Sequence, residues 1–405
     1  MPSDLRHSFI SACVLLGLAA ASLAAGAEAP TITADDIRQM IADVPSARPA
    51  VVSEGMIADA LNQHVQELLD AWPLMPLRVP TGKHPVYAFA HPRETFLALS
   101  EALPHLRSDV RSRTIDLLKR EYEKRPPFST SLYPMEGNPR LIGGPQDVVT
   151  IGPISEQRAA TPLRSYQGMY AFWAYCHFTG QFDLASAAWP VIEQALGEAS
   201  VVASGLMQKP PSRNFNINDG GPGVRLNETI GSLIGMARLA RLAGHEPEAA
   251  RAVEILLPLV VERLALELSA KDVRELPGTP HTVQVLPRGT ASFYQTFRAE
   301  PVLWLGMTRE LAGLIGRKAP QAIRANMDVY FLRNNFWHLA WTEGLPVGEM
   351  SILYPQYSRA MFQVRAWVYR DDAAVLARLS DMPWCTGDLY WIEKLTYTLC
   401  RMAGP

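Results

Sequence analysis

Ile57, Leu61, Val65, Leu68, Leu69 and Trp72 recur at three- and four-residue spacing, the period of one apolar face of an α-helix, and Pro73 and Pro76 end the run. The same period then returns in pairs. Residues 93–103 and 109–123 are separated by Pro104 to Ser108, 165–179 and 182–199 by Gly180-Gln181, and 225–243 and 246–268 by Gly244-His245. Further pairs are expected at 292–315 and 320–337, turning at Gly316 to Ala319, and at 356–369 and 372–379, turning at Arg370-Asp371. A last helix is expected from 387 to about 402, capped by Thr386 or Asp388. A short helix at 34–43 opens behind Thr33-Ala34-Asp35-Asp36, a capping-box pattern. Strand signals are weak, with short strands possible only at Asp147 to Ile151 and His281 to Leu286.

The tight turns alternate with long connections at 73–92, 124–164, 200–224, 269–291 and 338–355. Each hairpin returns the chain to the side it left, so these connections gather at one end, where the first helix of each pair begins. The first helices are the more aromatic ones. Tyr166, Tyr170, Trp173 and His177 fall at i, i+4, i+7 and i+11 on one helix face, a stripe that reads as barrel core before it reads as a binding surface. The second helices keep a charged stripe, as with Arg251, Glu254, Glu262 and Arg263. An all-α (α/α)6 toroid of about twelve helices in inner and outer rings follows, closed by packing the helix at 57–72 against the last one.

The N-terminus carries Arg6 and His7, an apolar run from Phe9 to Ala25, and small residues up to Ala27. This is the pattern of an export signal cleaved after Ala27, and the run is too weakly apolar for a spanning helix. The chain is therefore divided into a signal at 1–27, an N-terminal extension at 28–56 and one toroid domain at 57–405, exported to a periplasmic or extracellular location. No later stretch is apolar enough to span a membrane. With 48% hydrophobic and 19% charged residues and a net charge of −2, the chain has a globular balance and lacks the basic field that nucleic acid requires. Cys176, Cys385 and Cys400 remain after signal removal, without metal-ligand spacing. Cys385 and Cys400 either pair or stay buried as free thiols.

The hairpin rhythm, loop asymmetry and signal together resemble the six-hairpin (α/α)6-toroid superfamily, over residues 57 to 402, although no specific motif carries the likeness. The resemblance implies a secreted enzyme acting on a poly- or oligosaccharide, bound at the end where the inner helices start. No cofactor is expected, and no metal site.

Glycoside hydrolysis needs two carboxylates roughly 5 to 9.5 Å apart across the sugar. Acids next to glycine and aromatic residues, or at inner-helix starts, are the candidates: Glu136 and Asp219 as the preferred pair, then Glu228, Glu349 and Asp388. Each also fits a turn or a helix cap. Tyr133, Tyr166, Arg225, Asn227, His281, Tyr354, Tyr357 and Trp384 are the candidates for substrate binding. A second reading is a lyase that cleaves a uronic-acid polymer by β-elimination. It requires a Tyr or His base and groups such as Arg225 with Asn227, or Arg164 beside Tyr166, to neutralise the uronate. A third is a non-catalytic toroid that binds glycans or scaffolds an envelope assembly. A positively charged cleft favours the lyase, a neutral or acidic one the hydrolase.

Overall fold

Thr33 starts the first helix as its spacing predicts: its hydroxyl accepts from Asp36 N at 3.3 Å and its own N–H donates to the Asp36 carboxylate at 2.8 Å. The computed structural model describes residues 31–50, 55–70, 72, 77–79, 86–88, 91–131, 140–141, 148–149, 164–210, 222–269, 309–319 and 389–402. Among them the helices are α1 (Ala34–Ala42), α2 (Met56–Asp70), α3 (Pro92–Ala102), α4 (Ser108–Lys124), α5 (Met169–Thr179) and α6 (Asp183–Ala187). They continue with α7 (Trp189–Gln208), α8 (Pro222–Leu242), α9 (Glu246–Ser269), α10 (Arg309–Lys318) and α11 (Leu389–Met402). A 3-10 turn at Leu103–His105 joins α3 to α4, and another at Ser165–Gly168 leads into α5.

Among the described residues the packing is that of an all-α fold, with α11, α3, α5 and α8 packed side by side in that order. Helices α2, α7 and α9 lie against this row, and α2 meets both α4 and α11. The expected contact between the N-terminal helix and the C-terminal one is therefore present. Asn62 secures α2 to the α3–α4 turn, since its Oδ1 accepts from Arg107 N at 2.8 Å. Helix α5 is apolar on nearly every side, with Met169 through Cys176 and Phe178 all buried, as a helix enclosed by neighbours must be. Its Phe172 and Tyr175 join Phe96, Tyr122 and Phe128 in an aromatic cluster, including an edge-on Phe96–Tyr175 pair at 5.2 Å.

The hairpin turns are tight for a local reason. Gly180 ends α5 in the left-handed region at φ 73, and Gly244 takes φ 79 between α8 and α9. Where α8 crosses α5, a Cβ on Gly235 would lie 2.6 Å from Met169 O and from the Tyr170 backbone, so only glycine allows this approach.

Three boundaries differ from the periodicity. The helix expected at 182–199 is split at Ala188, because Pro190 has no N–H to continue the ladder from α6, and α7 then runs to Gln208, ending just before Pro210. The turn expected from Gly316 begins later: α10 continues through Arg317 and Lys318, whose charges suit its C-terminus, and stops at Ala319 before Pro320. The connection at 73–92 contains a strand pair, β1 (Leu77–Val79) antiparallel to β2 (Val86–Ala88). In the next long connection β3 (Arg140–Leu141) pairs antiparallel with β4 (Val148–Val149), the latter inside the stretch expected to form a strand. β1 neighbours β4, so these two connections meet. The expected signal at 1–27, the strand at 281–286, the helices at 320–337, 356–369 and 372–379, and the Thr386 or Asp388 cap lie outside the described residues.

Candidate functional site

Arg93, Gln167 and Glu228 each stand within the first turns of a separate helix or its 3-10 lead-in, and their side chains meet. Arg93 Nη2 lies 3.0 Å from Glu228 Oε1, and Gln167 Nε2 donates to Glu228 Oε2 at 2.9 Å. The contact fixes the polarity of the bundle: α3, α5 and α8 begin at the same end. Gln167 is held from both sides, because its Oε1 accepts from Arg164 N at 2.8 Å while its amide nitrogen serves Glu228. Arg93 and Glu228 keep 16% and 14% of their side-chain surface exposed, so the pair borders solvent without being immersed in it.

Tyr166 completes the cluster. It is 6% exposed, and burial together with the nearby Glu228 charge raises its phenol pKa, against Thr229, Arg164 and Arg93, which lower it. The hydroxyl is thus a proton-bearing donor at neutral pH. Thr229 in turn donates to Arg225 O at 2.8 Å. His91 lies just before α3, and burial, helped by the Arg93 charge, depresses its pKa to about 3, which leaves a neutral imidazole.

Of the residues nominated from sequence, Tyr166 and Glu228 come together here, and Arg225 is exposed one turn before Glu228. Asn227 is fully buried, and its Oδ1 accepts from Arg263 Nε at 2.9 Å, which turns the amide toward α9. Glu136, Asp219, Glu349, Asp388, Tyr133, His281, Tyr354, Tyr357 and Trp384 lie outside the described residues. Arg93, Gln167 and His91 were not nominated. Nothing in their local sequence sets them apart; the side-by-side packing of α3, α5 and α8 is what brings Arg93 and Gln167 to Glu228.

The aromatic stripe of α5 runs inward from this cluster, and each member meets a polar partner. Tyr170 donates to the Glu310 carboxylate at 2.9 Å, Trp173 lies under the Arg238 guanidinium at 4.1 Å, and His177 Nε2 is 2.7 Å from Pro45 O. Arg238 also pairs with Glu310 at 2.7 Å, both being almost fully buried. The neighbouring Arg309 pairs with Glu101 at 2.8 Å and donates to Cys400 Sγ at 3.4 Å, with His105 Nε2 3.3 Å from the same sulfur. Tyr170 and Trp173 are therefore interior packing, as the core reading of the stripe anticipates. Cys400 is a free thiol, as is buried Cys176.

Among the described residues, no group of three His, Cys, Asp or Glu side chains gathers as a metal site, and no helix is long and apolar enough to cross a membrane. No protein-family model matches the chain, and no curated protein or solved structure matches it.

Proposed function

We propose that the protein is an exported carbohydrate-active enzyme of (α/α)6-toroid architecture, cleaving a poly- or oligosaccharide at the end where its inner helices start. The observation that supports this is the fixed orientation of Glu228 by Arg93 and Gln167. A carboxylate receiving donors on both oxygens, at the border of solvent, is arranged to take a proton or to attack an anomeric carbon. In the hydrolase reading Glu228 is one of the two required acids. Glu136, Asp219, Glu349 and Asp388 are the candidates for the acid that protonates the leaving oxygen.

One observation favours the elimination reading. The Tyr166 hydroxyl stands among Arg93, Arg164 and Glu228, so a protonated phenol and guanidinium groups occupy one neighbourhood. Arginine is suited to a uronate carboxylate, the Glu228 carboxylate to taking the proton next to it, and the phenol to protonating the departing oxygen.

A panel of neutral and uronate-containing polysaccharides separates the readings when products are scored for reducing ends and for the absorbance of unsaturated uronates. Reducing ends alone mean hydrolysis and both signals mean elimination. Either must fall at least tenfold in Glu228→Gln. The absence of both signals on every glycan overturns the proposal in favour of a binding or scaffold toroid.

A further inference from the structure

Helix α1 has nine residues and no basic group in its last turn, so in isolation it would neither be stable nor have its terminal carbonyls satisfied. Arg238 supplies what it lacks. Its Nε donates to Ile41 O at 2.8 Å, its Nη2 to Asp43 O at 3.0 Å and to Met40 O at 3.4 Å, while Nη1 holds Glu310. Two further contacts attach the same segment: Lys318 Nζ lies 3.0 Å from Asp36, and His177 Nε2 meets Pro45 O. Ile37, Met40 and Ile41 are buried to within 1% beneath it.

These three attachments share a position in the bundle. His177 is near the end of α5, Arg238 near the end of α8 and Lys318 is the last residue of α10. Arg93, Gln167 and Glu228 stand at the beginnings of α3, α5 and α8. The segment therefore lies across the end of the inner helices opposite the candidate site. Between the two ends run continuous contacts: Arg238 against Trp173 and Glu310, Glu310 against Tyr170, and Tyr170 one turn from Gln167. Gly235 meanwhile brings α8 into backbone contact with Met169 and Tyr170.

We infer that residues 33–45 are a clasp closing the far end of the inner helices, and that Arg238 is the positioning residue through which its docking sets α5 and α8 at Glu228. The clasp satisfies α1 and the bundle together. Four of the five guanidinium donors are used, one on Glu310 and the others on the clasp. Undocking α1 releases three of those contacts at once and leaves Arg238 free to draw Glu310 from Tyr170. The inference rests on the candidate site for its functional meaning, but the structural coupling is measurable without substrate.

Amide hydrogen exchange on the full-length protein provides the test, read in the segments 34–45, 164–173, 222–232 and, as reference, 108–124. In Ile37→Asp, exchange is expected to rise at least tenfold in 34–45 and also in 164–173 and 222–232, with 108–124 unchanged. Arg238→Met is expected to raise the same three segments although α1 keeps every side chain of its own. Arg238→Lys, which keeps the charge but not the fork, is expected to remain closer to Arg238→Met than to the wild type. A rise confined to 34–45, an unmoved 34–45 in Arg238→Met, or full recovery in Arg238→Lys overturns the inference. Should Ile37→Asp unfold throughout, the half-buried Asp36–Lys318 pair gives the milder perturbation: in Asp36→Asn the segments must rise together, and movement of 34–45 alone, or of none, is a refutation. Loss of coupling with glycan cleavage intact refutes the clasp only. Intact coupling in a protein that cleaves no glycan refutes the proposed function only.

Discussion

Arg309 and Glu101, 208 residues apart in sequence, meet at 2.8 Å in the interior with 8% and 3% of their side chains exposed. The neighbouring residue Glu310 makes the equivalent contact in the opposite sense with Arg238. One dipeptide at the start of α10 therefore presents a cation to α3 and an anion to α8, and a helix entering with any other rotation would bury both charges unpaired. Charge placement here specifies how α10 sits among its neighbours.

A direct consequence concerns single and double substitutions. Removing one member of a buried pair leaves the other charge uncompensated, typically at a cost of about 3–5 kcal/mol, whereas removing both is far milder. Arg309→Met is expected to lower stability by about 3 kcal/mol or more in urea melts. The Glu101→Gln, Arg309→Met double variant is expected to lose less than the two single variants summed. Additive losses would mean that the two side chains do not act as a pair.

Acid should destabilise the fold through its buried histidines. Burial lowers His64 and His105 to about 4 and His91 to about 3, from an ordinary 6.5. Between these values the unfolded chain binds protons that the native chain does not. Stability contributed by the neutral imidazoles is therefore complete above pH 6.5 and declines as pH falls toward 4, at a slope of about 1.4 kcal/mol per pH unit for each histidine. Urea melts at pH 7.5, 6 and 5 should show the decline. His105→Gln should shallow it, and an unchanged slope in that variant would remove His105 as a cause.

The hairpin boundaries were legible because they are local events. Gly180 and Gly244 must take positive φ, and apolar spacing marks each buried stripe. The boundaries that differ from the periodicity are local too, but governed by proline: Pro190 breaks a helix that periodicity joins, and α10 ends at Ala319 before Pro320 and not at Gly316. At the candidate site Glu228 was legible as an acid near a helix start. Its partners Arg93 and Gln167, 135 and 61 residues away, were not, because nothing short of the lateral order of α3, α5 and α8 brings them to it. The clasp was hidden for the same reason. Thr33 marked a helix start, but Arg238 lies near the end of α8, 195 residues beyond the Asp43 carbonyl that it binds, and carries no sequence mark of its role.

Close backbone contact between α5 and α8 makes Gly235 sensitive. The Cβ of an alanine would stand 2.6 Å from Met169 O and the Tyr170 backbone, so the helices must separate, at a typical overpacking cost of about 1–3 kcal/mol. Gly197, on α7, has nothing within 4 Å of the same position. Gly197→Ala should raise stability by up to about 1 kcal/mol through helix propensity while Gly235→Ala lowers it. Thermal melts of the two variants check the pair, and a neutral Gly235→Ala would mean that the helices pack less closely than described.

Gln167 tests whether Glu228 depends on being held. The amide accepts from Arg164 N and donates to Glu228, so its orientation is determined by two contacts rather than by one. Gln167→Met keeps the length of the chain but removes both polar ends, leaving Glu228 Oε2 without this donor while Arg93 still holds Oε1. In the proposed glycan-cleaving reaction the carboxylate would then sample several orientations, and misplacement of a reacting group by about 1 Å can cost on the order of a hundredfold in rate. Steady-state kinetics on whichever glycan the wild type cleaves should show kcat reduced tenfold or more, with KM changed by less than about threefold, because the substitution leaves other substrate contacts in place. A rise in KM at unchanged kcat would assign Gln167 to substrate binding instead, and unchanged values of both would detach the Arg93–Gln167–Glu228 cluster from the chemistry.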